Sequence, residues 1–139
     1  MIGVKATMLA DFAKELADKA AARAADMGLS VSIAVVDDAG ILKVFYRMDG
    51  CSNSSVDIAI EKARHAINYR RTTKYHEDVV QGGGLAALAF PGFLPVEGGI
   101  PIQYRDEYIG AIGVSGARSE QDGEVAGYAI ECMSRELKA

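Results

Sequence analysis

Two very short connections restrict this chain more than any other feature. SVSIAVVDD (30–38) and ILKVFYRM (41–48) both have strand composition, and only the turn Asp38-Ala39-Gly40 separates them. IPIQY (100–104) and YIGAIGVSG (108–116) are joined by Arg105-Asp106-Glu107 alone. A parallel pair needs a crossover of a dozen residues or more, so both pairs are predicted to be antiparallel hairpins. SVSIAVVDD is nearly all β-branched or small, which suits a strand covered on both faces. In the second strand, Ile41, Lys43, Phe45 and Arg47 alternate with Leu42, Val44 and Tyr46.

Helical periodicity surrounds the hairpins. Met8, Phe12, Leu16, Ala20 and Ala24 recur every four residues, predicting a helix over 7–27, started by Thr7 and stopped by Gly28. Ser54-x-x-Asp57 has the form of a capping box for a helix over about 55–70, with Ile60, Ala63 and Ile67 as its apolar stripe and Lys62 and Arg64 flanking it. Thr72-Thr73 restarts a shorter helix, ended by the glycines at 82–84. LAALAFPGFLPVEGG carries two prolines and reads as a mostly buried loop with one short strand. Ser119 to Leu137 reads as the last helix, with Val125, Ala129, Cys132 and Met133 inward. The expected order is α-β-β-α-α-β-β-β-α: an α+β fold, a single antiparallel sheet flanked by helices in a profilin-like or PAS-like layout. At 139 residues the whole chain, 1–139, is expected to be one domain.

Composition narrows the functional classes. A formal net charge of −4 gives no electrostatic reason to bind nucleic acid or an anionic membrane. No apolar run is long enough to span a bilayer, and the start does not have the form of a signal peptide. Cys51 and Cys132 share no motif and read as reduced thiols, so a cytoplasmic location is expected.

No Ser-His-Asp set, HExxH, P-loop or paired catalytic carboxylates are discernible. The glycine-rich stretch VEGGIPIQYRDEYIGAIGVSGARSEQD (96–122) is the most unusual part of the chain. Gly110, Gly113 and Gly116 lie in a hairpin strand, not at a strand-to-helix turn, so they are no dinucleotide fingerprint. They serve close backbone approach, or they leave room for a guest molecule. The helix start after Ser115 offers free N–H groups that suit a carboxylate or phosphate. Ser119 and Asp122 fit a capping box, which leaves Gln121 as the better ligand contact. Arg47 either pairs with Asp49 or holds a ligand, and Arg70 and Arg71 either suit the helix dipole or join Arg47 in binding a carboxylate. His65 and His76 lie eleven residues apart, too far along one helix to bind one metal. His65 is expected to be a partly exposed helix residue.

VSIAVVDDAGILKVFYRMDG, SVDIAIEKARHA and the PGFLPVEGGIPI…YIGAIGVSGARSEQD series, in that order, resemble the GlcG/HbpS-like family, which includes the C-terminal domain of PduO-type proteins. The resemblance spans about residues 7–135. It implies an antiparallel sheet flanked by helices, and homo-oligomers, either dimers or larger rings. Several members bind haem and some degrade it; others accompany gene clusters for glycolate, propanediol or aromatic-compound breakdown. The family commonly has R-R-P-T where this chain has Arg70-Arg71-Thr72-Thr73, so a proline is missing at the helix break.

Three readings follow. The first is a small-molecule binder, with haem, another tetrapyrrole or a carboxylated ligand contacted by Arg47, Arg70, Arg71, Gly98, Gly99, Ser115 and Gln121. No metal site is expected, and His65 or His76 would serve as metal ligand only if haem is bound. The second is a cofactor-independent enzyme for a small carboxylated or polyhydroxylated metabolite, in which Asp49 or Glu97 moves a proton. The third is an oligomeric assembly module with no small ligand. The first two require Arg47, Glu97, Ser115 and Gln121 to converge on one hollow.

Overall fold

The computed structural model describes all 139 residues. Two antiparallel hairpins form one four-stranded sheet. Strands β1 (Ser32–Asp37) and β2 (Leu42–Arg47) make the first, β3 (Gly99–Tyr104) and β4 (Glu107–Ser115) the second, and the order across the sheet is β2-β1-β4-β3. The hairpins join because β1 pairs antiparallel with β4, from Ser32 opposite Ser115 to Asp37 opposite Gly110. The fold is therefore the α+β arrangement that the short turns require.

Helices cover both faces. Helices α1 (Ala10–Asp26) and α4 (Ser119–Cys132) lie on one side; α2 (Ser54–Tyr69) lies on the other. The alternation along β1 sorts its side chains accordingly. Ile33 and Val35 join the core beneath α1 and α4, while Ala34 and Val36 meet Ala59, Ala63 and Ala66 of α2. The alanines on α2 let its backbone come very close to β4. A Cβ placed on Gly113 would overlap the carbonyl of Ala59. Gly110, towards the α1 side, is likewise pressed against the Val36 carbonyl and Met8. The second face is thus a small-residue interface, tight in the manner that glycine alone allows.

Several boundaries differ from the sequence expectation. Helix α1 begins at Ala10 with Leu9 preceding it, and Thr7 makes no cap. Asn53, not Ser54, precedes α2, and no side-chain cap forms there. The missing proline is compensated: Thr72 caps α3 (Thr73–Gln81) by accepting a hydrogen bond from the Tyr75 N–H at 3.0 Å, so a hydroxyl makes the break that proline would make sterically. The segment after Gly84 holds no strand. It forms a 3-10 helix at Leu85–Ala89 and an irregular run, and it is largely exposed rather than buried. A final short helix, α5 (Ser134–Leu137), follows α4. No helix is long and apolar enough to cross a membrane.

Candidate functional site

The glycine-rich stretch encloses no hollow. Gly98 and Gly99 are buried against Lys62: a Cβ at Gly98 would lie 2.7 Å from its Nζ, and one at Gly99 2.9 Å from its carbonyl carbon. Lys62, expected beside the apolar stripe of α2, is instead 1% exposed. Its ammonium donates to the Val114 carbonyl at 2.9 Å and to Asp122 Oδ2 at 3.1 Å. The other oxygen of Asp122 accepts the Ala117 N–H at 3.0 Å. Burial pulls the Lys62 pKa down and pushes that of Asp122 up, and their ion pair opposes both shifts. The room that glycine would leave beside the backbone is occupied by this pair, which ties α2, β4 and α4 together.

The start of α4 is closed by another residue than expected. Gln121 Oε1 accepts the Arg118 N–H at 3.2 Å, so Gln121 is the capping side chain and Asp122 belongs to the buried pair. Glu97 lies over the first turn of α4, where a Cβ on Gly123 would lie 2.6 Å from its Cγ. Burial raises the Glu97 pKa; Lys74 opposes this, while Glu77, Glu120 and Asp78 add to it. Its backbone N–H donates to Glu77 Oε1 at 3.1 Å. Glu97, Gly98 and Gly99 therefore pack against α2 and the start of α4, in space that is filled, while Ser115 pairs with Ser32 and Gln121 closes the helix start.

The arginines do not gather. Arg47 is level with Ser115 across the sheet, since both pair with Ser32. It is exposed and forms no ion pair with Asp49, whose carbonyl accepts a hydrogen bond from Ser30. Arg70 lies at the opposite end, 5.3 Å from the Tyr108 ring centroid. Tyr108 and Ser115 are seven residues apart on β4, about 24 Å. Arg71 turns to another side and sits 5.0 Å from the Tyr75 ring centroid. No cavity of the molecule is lined by Arg47, Glu97, Ser115 and Gln121 together.

The histidines provide the geometry that spacing did not reveal. The break at Arg70–Thr72 folds α3 back, so His65 Nε2 lies 2.8 Å from His76 Nδ1. His65 is fully buried, not partly exposed, and lies among Tyr69, His76 and Phe93. The Leu94 N–H donates to His65 Nδ1 at 2.8 Å. A backbone amide can only donate, so the neutral His65 carries its proton on Nε2 and gives it to His76 Nδ1. His76 must then hold its own proton on Nε2, which has no partner within the protein. Burial, with His76 adding, depresses the His65 pKa to about 4; burial and Arg71 lower that of His76. The outcome is a polarised chain, Leu94 to His65 to His76, that presents a neutral N–H at its outer end. No group of three or more histidine, cysteine or acidic side chains is placed to hold a metal ion.

The segment from α3 to Val96, which packs Phe93 against this pair, exposes large apolar side chains: Tyr75 (49%), Leu85 (63%), Leu88 (54%) and Phe90 (51%), with Val79 and Val96 beside them in sequence. Phe90 stacks on Tyr69 at 6.2 Å, and the Tyr69 hydroxyl donates to the Pro91 carbonyl. A cleft of about 360 Å³ runs between this loop and α2, bounded by Ile58, Phe90, Phe93 and Leu94.

Comparison with known proteins places this architecture. The model of the haem-degrading protein HbpS-like family matches residues 9–131. The chain belongs to the HbpS-like family. GlcG of Escherichia coli (strain K12) is 45% identical over 86 residues, which cover 62% of this chain and 64% of GlcG, so the match spans less than two thirds of that relative. An uncharacterized 15.0 kDa protein from the dhaT-dhaS intergenic region of Citrobacter freundii is 35% identical over 133 residues, 93% of this chain and 94% of its own. Among solved structures, a double mutant of Streptomyces reticuli HbpS superposes with a TM-score of 0.86 at 27% identity, covering 95% of this chain and 90% of that one. The PduOC–haem complex superposes at 0.83 with 28% identity, covering 91% and 94%. The HbpS-like fold thus has a relative solved with haem.

Proposed function

We propose that this HbpS-like protein binds a small flat ligand, haem or another tetrapyrrole, against the exposed aromatic surface of residues 69–96. The observation that carries this reading is the set of large apolar side chains left uncovered on the segment that packs Phe93 against the His65–His76 pair, beside the cation of Arg71. An apolar face suits a macrocycle, and a guanidinium at its edge suits a propionate. The family name and the relative solved with haem support the same ligand class.

The imidazoles do not fit as iron ligands in this arrangement. Both His65 nitrogens are engaged, and the tautomer chain from Leu94 keeps a proton on His76 Nε2, where a metal would need a free lone pair. The His76 N–H suits a carboxylate or carbonyl oxygen instead.

Titration with hemin and with iron-free protoporphyrin tests the reading. Both are expected to bind with affinities within about tenfold of each other, and His76→Ala is expected to leave the Soret maximum of bound hemin in place. Hemin that keeps its free spectrum would remove the ligand; a Soret band that depends on His76 would restore ligation and overturn the proposed mode.

Arg47, Asp49, Ser115 and Gln121 are left outside this surface. Of the two carboxylates considered for proton transfer, Glu97 is half-buried and burial raises its pKa, whereas Asp49 is exposed to solvent. An enzymatic reading would therefore rest on Glu97.

A further inference from the structure

We propose that the polar cleft between the end of α2, the β1–β2 turn and the β3–β4 turn binds a small aminocarboxylate, with Arg70 holding the carboxylate and Asp106 the amine. The cleft measures about 540 Å³, within the range of small-molecule sites. It is far from the glycine-rich packing and is separate from the haem surface, because Arg70 and Arg71 diverge at the helix end.

The backbone at Arg70 is the first sign. Arg70 ends α2 in the left-handed conformation, with φ of 53°. Glycine or asparagine ordinarily takes that position, and a residue with a Cβ costs about 1–2 kcal/mol there. The chain keeps an arginine where glycine would be the more stable choice. Strain of this kind points to a role for the side chain.

The guanidinium is also unspent. It lies over the Tyr108 ring and forms no ion pair, although three carboxylates, those of Asp38, Asp106 and Glu107, line the same cleft. Two of the three are committed elsewhere. Asp38 pairs with Lys5 at 2.6 Å, and Glu107 Oε2 accepts the Ala6 N–H at 2.7 Å. The first of these contacts also holds Lys5 at the edge of the cleft. Asp106 and the amide of Asn68 have no protein partner and complete the polar lining.

Charge selects the ligand class. Two cations face three carboxylates, so the cleft disfavours a phosphate or a dicarboxylate. One free fork-shaped cation and one free carboxylate complement a molecule with one carboxylate and one ammonium group. Arginine binds a carboxylate through two parallel hydrogen bonds, which lysine cannot reproduce.

The test uses the whole chain and a series of aminocarboxylates of increasing length, namely glycine, β-alanine, γ-aminobutyrate and ε-aminocaproate, with butyrate and butylamine as single-charge controls. Ligand-observed NMR and calorimetry read the affinities. One member of the series is expected to bind at least about tenfold tighter than either control. Arg70→Gly is expected to abolish that binding while the melting temperature stays level or rises, since the substitution relieves the left-handed backbone. Asp106→Asn is expected to remove the preference over butyrate. Absence of binding throughout the series overturns the proposal, as does unchanged affinity in Arg70→Gly. Should that variant fold poorly, Arg70→Lys decides alone: affinity equal to that of the wild type overturns the assignment of the guanidinium fork. None of these outcomes depends on whether hemin binds.

Discussion

At the residue scale, His65 shows how one backbone amide sets the state of two side chains. Leu94 fixes the tautomer of His65, His65 fixes that of His76, and burial disfavours a proton that would break the chain. This has a thermodynamic consequence. The folded pKa of His65 is about 4, below the ordinary 6.5. Between these values the unfolded chain binds a proton that the folded chain refuses. The contribution of His65 to stability is therefore fully present above pH 6.5 and is lost as pH falls towards 4. Its upper bound is about 3 kcal/mol. Urea unfolding followed from pH 7 to pH 4.5 is expected to show a clear fall in midpoint for the wild type. His65→Gln retains an acceptor for Leu94 but does not titrate, so its midpoint is expected to fall less. Equal slopes would mean that His65 titrates normally in the fold.

At the element scale, the sequence was most informative where structure is local. The turns at 38–40 and 105–107 dictated antiparallel hairpins because no other pairing fits such short connections. The β-branched and small composition of β1 announced two covered faces. Misreadings arose where a distant element supplies the physics. Gly113 looks like free space along the chain, yet α2 fills that space. Lys62 looks like a flanking charge, yet its partner stands sixty positions later. A lysine next to an apolar stripe, together with an aspartate near a helix start, was the available signal, but neither residue announces the other. The His65–His76 contact depends on the angle of a helix break, which spacing does not contain. The Lys62–Asp122 pair fastens three elements and gives a sharp expectation. Lys62→Met alone or Asp122→Asn alone strands a buried polar partner and is expected to cost about 3–5 kcal/mol. The double variant, with no charge left to strand, is expected to recover a large part of that loss. Chemical denaturation of the four proteins measures the coupling, and losses that simply add would show that the pair does not act as a unit.

For the molecule as a whole, the distribution of apolar surface is uneven. The core is closed on both faces of the sheet, and α1, α2 and α4 bury their stripes. The region from Tyr75 to Val96 does the opposite, exposing six large apolar side chains within twenty-two residues. An uncovered concentration of this kind marks a surface that meets something other than water. The sequence suggested burial here because apolar residues usually lie inside; glycines 82–84 and the prolines at 91 and 95 instead keep the segment from entering the core. Leu85 and Leu88 are more than half exposed, so charge can be placed on them at little cost to the fold. The Leu85→Glu, Leu88→Glu variant is expected to melt within a few degrees of the wild type and to bind hemin at least about tenfold more weakly. Sedimentation of both proteins without ligand separates the two occupants such a face can have. If the face serves the ligand, wild type and variant sediment at the same mass and differ only in the titration. If it joins copies of the chain, the variant dissociates while hemin binding, where present, persists, and the aromatic surface is then a subunit contact rather than a ligand site.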